Sequence, residues 1–131
     1  MDELDKYVGT HYTIVYCKGA KESLDEVLAK HAPQPMKSNK LKAQMRSLLV
    51  RLADGHRMTK ENFPKEGDLP DGSKFRAIKK IPLRAYLWRS KKYPGKCFIS
   101  HFIYKDFQKL KAQDITKVCN NWREIEEGDG L

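Results

Sequence analysis

The sequence predicts an α+β domain in which helices cover a central, mainly antiparallel sheet of about four strands. Two observations lead to this prediction. Strand-like segments joined by short links occupy the second half of the chain, and segments with helical spacing lie on either side of them. The 131 residues, of which 40% are hydrophobic, suffice for one core. We therefore expect a single domain over 1–131, with about ten N-terminal and about five C-terminal residues frayed.

The first half of the chain is predicted to form one strand and two helices. β-branched and aromatic residues at 11–17 are typical of a strand. Apolar residues recur at helical spacing over 21–31, and the sequence "APQP" ends this helix. A leucine-rich stripe predicts a second helix between Ser38, which suits the N-cap, and Gly55, which suits the C-terminal stop.

The second half is predicted to form a three-stranded meander and a last helix. Residues 56–73 are rich in Pro, Gly and Asp and indicate an exposed connection. Strands are predicted at 74–79, 83–90 and 96–104, because short links favour antiparallel neighbours. The last helix begins near Asp114. We expect all helices to cover one face of the sheet and to leave the other face open.

Positive charge is concentrated in residues 72–105. This window holds ten Lys and Arg and no Asp or Glu, although the chain has 26 basic and 17 acidic residues and a net charge of +9. The rest of the chain carries 16 bases against 17 acids, so the excess is local. A local field of this sign favours an acidic or nucleic-acid partner.

Several function classes are not favoured by the sequence. No apolar run has the length of a membrane span, and the N-terminal stretch is acidic where a secretory signal is basic, so we expect a cytoplasmic protein. Cys17, Cys97 and Cys119 are odd in number and far apart, which fits neither a disulfide framework nor a zinc spacing. The four histidines show no ligand spacing, so we expect no metal and no cofactor.

The predicted strand at 83–90 combines cations with aromatic rings on one face. Its alternation places Arg84, Tyr86 and Trp88 opposite its apolar residues. Guanidinium groups that hold phosphates beside rings that stack on bases suit single-stranded nucleic acid. The alternative is that Tyr86 and Trp88 cover a second small core, with the lysines as a solvated rim. Further RNA contacts are expected from Lys74, Lys79, Lys80, Arg89, Lys91, Lys92 and Lys109.

These residue types also permit RNA cleavage without a metal. The 2′-hydroxyl can attack the adjacent phosphate if one group removes its proton, another offsets the phosphate charge, and a third protonates the departing 5′ oxygen. Arg76 and Arg84 are candidates for the electrostatic role, which is worth on the order of 3 kcal/mol for one well-placed donor. A lysine crowded by cations and partly desolvated has a lowered pKa and can act as the base.

Three segments carry a family resemblance. The Arg in "FRAIKK", the Arg in "LRAYLW" and the stretch "FISHFIYKDFQKLKAQDITKVCNNW", in this order of elements, resemble the HigB branch of the RelE/ParE toxin superfamily over about residues 12–126. Arg76 and Arg84 match two arginines of that family, His101 lies near its histidine, and Lys105 falls on the second Lys of its "FxKK" pattern.

The resemblance implies a RelE-like fold and a ribosome-dependent, metal-independent mRNA endonuclease that halts translation. By this resemblance Arg76 and Arg84 stabilise the scissile phosphate, and Lys105 is the base or a charge stabiliser. His101 or Tyr104 is the candidate acid, although Tyr104 stands where the family has the first Lys of "FxKK". Arg84→Ala is expected to abolish growth arrest without unfolding the protein.

The resemblance also implies a cognate antitoxin that neutralises the toxin. We expect this partner to contain a helix-turn-helix DNA-binding domain and an acidic segment that lies over 74–105 and cancels the local field. Two other functions remain open at this point. One is a ParE-like poison that acts on DNA gyrase through protein contact, and the other is an RNA-binding domain without catalytic activity.

Overall fold

The computed structural model describes residues 5–104 and 110–128, which form an α+β fold. Its strands are β1 (Lys6–Val8), β2 (Thr13–Tyr16), β3 (Lys65–Asp68), β4 (Lys74–Lys80), β5 (Leu83–Arg89) and β6 (Lys96–Tyr104). Its helices are α1 (Ala20–His31), α2 (Pro35–Ala53) and α3 (Ala112–Trp122), and a π-helical turn at Arg123–Glu127 extends α3. None of these helices combines the length and the apolar composition that crossing a membrane requires.

The strands form one mixed sheet in the order β1-β2-β6-β5-β4-β3. The pair β2–β6 is parallel, and the other four pairs are antiparallel. The α+β class is therefore confirmed, but the predicted strand number of about four is too low. The two additional strands are the edges: β1 lies in the stretch predicted to be frayed, and β3 lies in the predicted connection. Both strands are too short for a hydrophobic period to reveal them. Edge strands of natural sheets are often this short.

Helices cover both faces of the sheet, so the predicted open face is wrong. The helices α1 and α2 bury one core, to which β5 contributes Leu83, Ala85 and Leu87. The helix α3 covers the other face, where Phe75 and Phe98 lie with the apolar stripe of α3. Packing of α3 on this face removes the apolar surface of the aromatic residues from water, which is favourable. The stripe of α3 and its turn consists of Val118, Trp122 and Ile125.

A β-bulge changes the alternation of side chains in β6. Tyr86 of β5 pairs with His101, whereas Leu87 pairs with Ile99, so Ser100 is the additional residue. A bulge of this kind leaves two consecutive side chains on the same face of the sheet. Ser100 and His101 therefore both lie under α3, and both are buried.

The turn between β1 and β2 is attached to the C-terminal end of α2. The backbone N–H groups of His11 and Tyr12 both donate to the carbonyl of Ala53, which has no acceptor role left inside the helix. Gly55 then ends α2 with a φ of +79°, a conformation in which glycine is unstrained. This attachment places the segments 9–12 and 55–58 side by side.

Gly9→Ala is expected to destabilise the fold by about 1–3 kcal/mol, because overpacking at a rigid site forces backbone shifts. A Cβ at Gly9 would overlap with the carbonyl group of Ala53. Urea unfolding measures the change. Gly72→Ala is the comparison, since a Cβ there meets nothing within 4 Å and adds only the strain of a φ of +88°. Equal unfolding midpoints for Gly9→Ala and the wild type would contradict the close contact.

Candidate functional site

Arg84 is buried in an ion pair rather than exposed to a ligand. Its side chain is 2% exposed, and its Nη1 donates to Oε1 of Glu66 at 3.0 Å. Glu66 belongs to β3, so the base-rich window receives this carboxylate from outside its own sequence. Arg84 thus lies inside the protein on the face covered by α3, where RNA does not reach it.

Tyr86 and Trp88 also lie in the core under α3. Their exposed fractions are 0% and 2%, and the Trp88 ring stacks on Phe98 with a centroid distance of 5.6 Å. The alternation predicted for β5 is correct, but the face that these rings occupy is the second core that the alternative described. Burial, followed by the negative charges of Asp114 and Glu66, raises the pKa of Tyr86 to about 12.

His101 belongs to a buried polar network that holds α3 on the sheet. Its Nε2 lies 3.0 Å from Oδ1 of Asp114, and its Nδ1 lies 2.8 Å from Oγ of Ser100. Asn121 Nδ2 also donates to this Oγ, at 2.8 Å. A neutral imidazole that donates from Nε2 accepts at Nδ1 from the hydroxyl of Ser100. The arrangement of Ser100, His101 and Asp114 resembles a catalytic triad in its residue types, but no substrate reaches it, because all three side chains are buried.

Tyr104 lies on the opposite face of the sheet from Arg84 and His101. Its ring stacks on His31 at 4.7 Å, on the face that α1 covers. Tyr104 pairs with Leu83. Leu83 lies at one end of the β4–β5 ladder, and Arg76 lies at the other end. Arg76, Arg84, His101 and Tyr104 therefore do not form one site in this structure, and Lys105 and Lys109 lie outside the described residues.

The predicted RNA-binding lysines have several different environments. Lys74 pairs with Asp68 at 2.5 Å, and Lys91 pairs with Asp71 at 2.8 Å. Hydrogen bonds from Lys91 and Ser73 lower the pKa of Asp71 to about 2. These two lysines thus carry acidic partners on the protein surface.

The remaining three lysines do not share one surface. Lys92 donates from Nζ to the carbonyl of Gly128, beside the end of α3. Lys79 and Lys80 line a separate recess of about 400 Å³ at the far end of β4. The predicted residues therefore do not make a single continuous binding track.

A cleft does bring five of the predicted residues together with residues that the sequence did not reveal. The five are Lys74, Arg76, Trp88, Arg89 and Lys91. The cleft consists of two adjoining cavities of about 290 and 340 Å³ that share Phe63, Arg76 and Arg89. We call it the basic cleft, because no carboxylate side chain of the described residues lines it. Its cations are Arg57, Lys74, Arg76, Arg89 and Lys91, and its histidines are His11 and His56.

The strands β4 and β5 create the cleft because their pairing stops. The ladder runs from Lys80–Leu83 to Arg76–Leu87 and goes no further. Arg76 lies at this last pair, and Arg89 follows Leu87 by two residues, so both side chains leave the sheet on the α2 side.

Neutral groups hold the two arginines in place. Arg76 Nη1 donates to the carbonyl of Phe63 at 3.0 Å, and its guanidinium lies 4.8 Å from the centre of the Phe63 ring. Arg89 lies 5.2 Å from the centre of the Tyr12 ring. Contacts of this kind orient a guanidinium without cancelling its charge. In the part of the chain that the structure describes, neither Arg76, Arg89 nor Arg57 pairs with a carboxylate.

The opposite wall of the cleft is the β1–β2 turn together with the end of α2. A Cβ at Gly55 would lie 2.5 Å from Cγ of His11, so the imidazole packs directly on this glycine. His56 and Arg57 follow at once. The sequence predicts an exposed connection over 56–73 and does not single out His56 or Arg57. The only local signal was the pair His56-Arg57 directly after a helix stop, and nothing in the sequence links it to position 11.

Comparisons with known proteins leave the family of the chain open. No protein-family model, no curated protein and no solved structure matches it. Among residues 5–104 and 110–128, no three His, Cys, Asp or Glu side chains are grouped so that they could hold a metal ion.

Proposed function

We propose that this protein is a toxin of the RelE/HigB type that cleaves mRNA on the ribosome, and that the basic cleft holds the RNA backbone. One observation carries the proposal: three arginines share a cleft that has no carboxylate in its described lining. An uncompensated cluster of guanidinium groups attracts phosphate, which guanidinium binds through two parallel hydrogen bonds.

The basic cleft is a hollow rather than a flat charged surface, and this shape favours the binding of single-stranded RNA. Arg57 and Arg89 are exposed and Arg76 is partly exposed, and all three line the same cavity, so a strand that enters it meets three guanidinium groups. Aromatic rings back two of these guanidiniums, which leaves the opposite faces of the guanidiniums for bases or phosphates.

The resemblance supplies the toxin part of the proposal. The order of one strand, two helices, three strands and a helix, on which the resemblance rests, recurs in β2, α1, α2, β4, β5, β6 and α3. Of the two matched arginines, Arg76 lies in the cleft and keeps the proposed electrostatic role, whereas Arg84 is reassigned to the fold. Such a toxin acts in the cytoplasm, and an antitoxin with an acidic segment over the basic cleft would neutralise it.

The double variant Arg76→Ala/Arg89→Ala is the test of this function. We expect the wild type to arrest growth on induction and to produce cut mRNA ends, detected by primer extension. The double variant loses both effects. In binding assays with single-stranded RNA, its salt dependence is also shallower, by about 0.7 log units per lost phosphate contact for each tenfold change in salt. Arg123→Ala, an exposed arginine on the turn after α3, is the matched control and behaves as the wild type.

The same experiment separates the other two functions. Intact mRNA together with broken DNA in arrested cells would replace the proposal with a ParE-like gyrase poison. Tight, salt-dependent RNA binding without cleavage, even with translating ribosomes, would leave an RNA-binding domain. Thermal unfolding of each variant shows whether it is folded, since Arg76 also bonds to the Phe63 carbonyl.

A further inference from the structure

Two histidines from distant parts of the chain line the same cavity of the basic cleft. His11 comes from the β1–β2 turn and His56 follows the end of α2, and both line the cavity of about 340 Å³ that contains Arg57, Arg76 and Arg89. Both side chains are exposed, so neither is committed to the core. Neither histidine forms a salt bridge among the described residues, in contrast to His101.

The histidines are the groups in this cavity suited to proton transfer at neutral pH. Imidazole is the side chain whose ordinary pKa lies between pH 5 and 8. The other titratable or charged groups that line the same cavity are the three arginines, which stay protonated, and Tyr12, whose ring lies under Arg89. The nearest carboxylate along the chain, Asp54, accepts from the backbone N–H of Thr10 at 3.1 Å and does not line the cavity.

Hydrogen bonds assign His11 a tautomer. The Thr10 hydroxyl donates to the backbone carbonyl of Asp54 at 3.2 Å, and its oxygen lies 3.3 Å from Nδ1 of His11. In the arrangement in which the Thr10 hydroxyl donates to this carbonyl, its oxygen accepts from Nδ1 of His11. The lone pair of a neutral His11 is then on Nε2.

We propose that His11 is the general base and His56 the general acid of RNA cleavage in the basic cleft, an inference that rests on the function proposed above. His11 Nε2 takes the proton of the 2′-hydroxyl as its oxygen forms a bond to phosphorus. The bond from phosphorus to the 5′ oxygen breaks, and protonated His56 gives its proton to that oxygen. The products are a 2′,3′-cyclic phosphate and a 5′-hydroxyl. The arginines offset the charge on the phosphate oxygens, and no metal or redox partner enters the balance.

The variants His11→Ala and His56→Ala test the inference with translating ribosomes and a defined mRNA. Each is expected to reduce the cleavage rate about 10²- to 10⁴-fold, the usual contribution of acid–base catalysis. Binding of single-stranded RNA stays within about threefold of the wild type, because the arginines remain. His31→Ala, an exposed histidine outside the cleft, is the matched control and keeps the wild-type rate.

The pH dependence of the rate distinguishes catalysis from a structural role. The wild type is expected to show a bell-shaped profile, His11→Ala to lose its acidic limb and His56→Ala its alkaline limb. Wild-type cleavage rates in both variants, or a parallel loss of RNA binding, would overturn the inference while leaving the proposed function in place. A wild-type protein that neither binds nor cuts RNA would instead remove the proposed function itself.

Discussion

Arg84→Ala is expected to lower the free energy of unfolding by about 3–5 kcal/mol, because it removes one partner of a buried ion pair. The side chain of Glu66 is only 11% exposed, and the substitution leaves its carboxylate without the guanidinium 3.0 Å away. Urea unfolding followed by tryptophan fluorescence measures the loss. We therefore no longer expect Arg84→Ala to leave the stability of the protein unchanged. A failure of this variant to arrest growth would not identify Arg84 as a catalytic group.

Two further variants isolate the ion pair. The double variant Arg84→Ala/Glu66→Ala is expected to lose less stability than the two single variants together, since it removes both charges of the buried pair at once. Arg89→Ala, on the same strand but exposed, changes the free energy of unfolding by about 0.5 kcal/mol or less. An Arg84→Ala protein with the unfolding midpoint of the wild type would show that the pair does not stabilise the fold.

Alkaline pH is expected to destabilise the protein by several kcal/mol between about pH 9 and pH 12. Burial, followed by the charge of Glu124, raises the pKa of Cys17 to about 12, and burial raises that of Cys97 to about 11. Tyr86 has a pKa of about 12 in the fold, against an ordinary value of 10.0. All three groups become charged when they lose a proton. The folded state holds the proton more tightly than the unfolded chain does, so stability is complete below pH 9 and falls above it.

Unfolding in urea at pH 8, pH 9.5 and pH 11 checks this prediction. Each unit of pKa difference corresponds to on the order of 1 kcal/mol, so Cys17→Ala, Cys97→Ala and Tyr86→Phe should each make the pH dependence shallower. Cys119→Ala removes the partly exposed cysteine of α3 and is the matched control. A free energy of unfolding that is constant from pH 8 to pH 11 would contradict the burial of all three groups.

Local patterns predicted the three helices and the strands β2, β4, β5 and β6, but they missed β1 and β3 and could not decide which face of the sheet each helix covers. The apolar stripe of α2 and the alternation in β5 are properties of short segments, and both are present in the structure. The apolar stripe of α3 was also visible in the sequence. Such a stripe predicts that one side of the helix is buried, but not which face of the sheet buries it. The side on which α3 packs depends on the path of the chain after Tyr104, which periodicity does not contain.

The charge pattern predicted part of the candidate site for a similar reason. A window without carboxylates identified Arg76 and Arg89, which do share the basic cleft. It also suggested Arg84, because a sequence window cannot show that Glu66 reaches back from β3. His11 and His56 are 45 positions apart in the sequence, and the bonds from the β1–β2 turn to Ala53 and Asp54 place them at the same cavity.

The position of β6 in the sheet has a consequence for the synthesis of the protein. This strand joins β2 on one side to β5 on the other, although the ribosome makes it after all five other strands. Until β6 emerges, no strand of the sheet links β1 and β2 to β3, β4 and β5 in the nascent chain. The parts of the cleft that carry His11 and Arg89 are then not fixed relative to each other. Any activity of the cleft therefore begins only when translation has passed Tyr104, late in the production of each molecule.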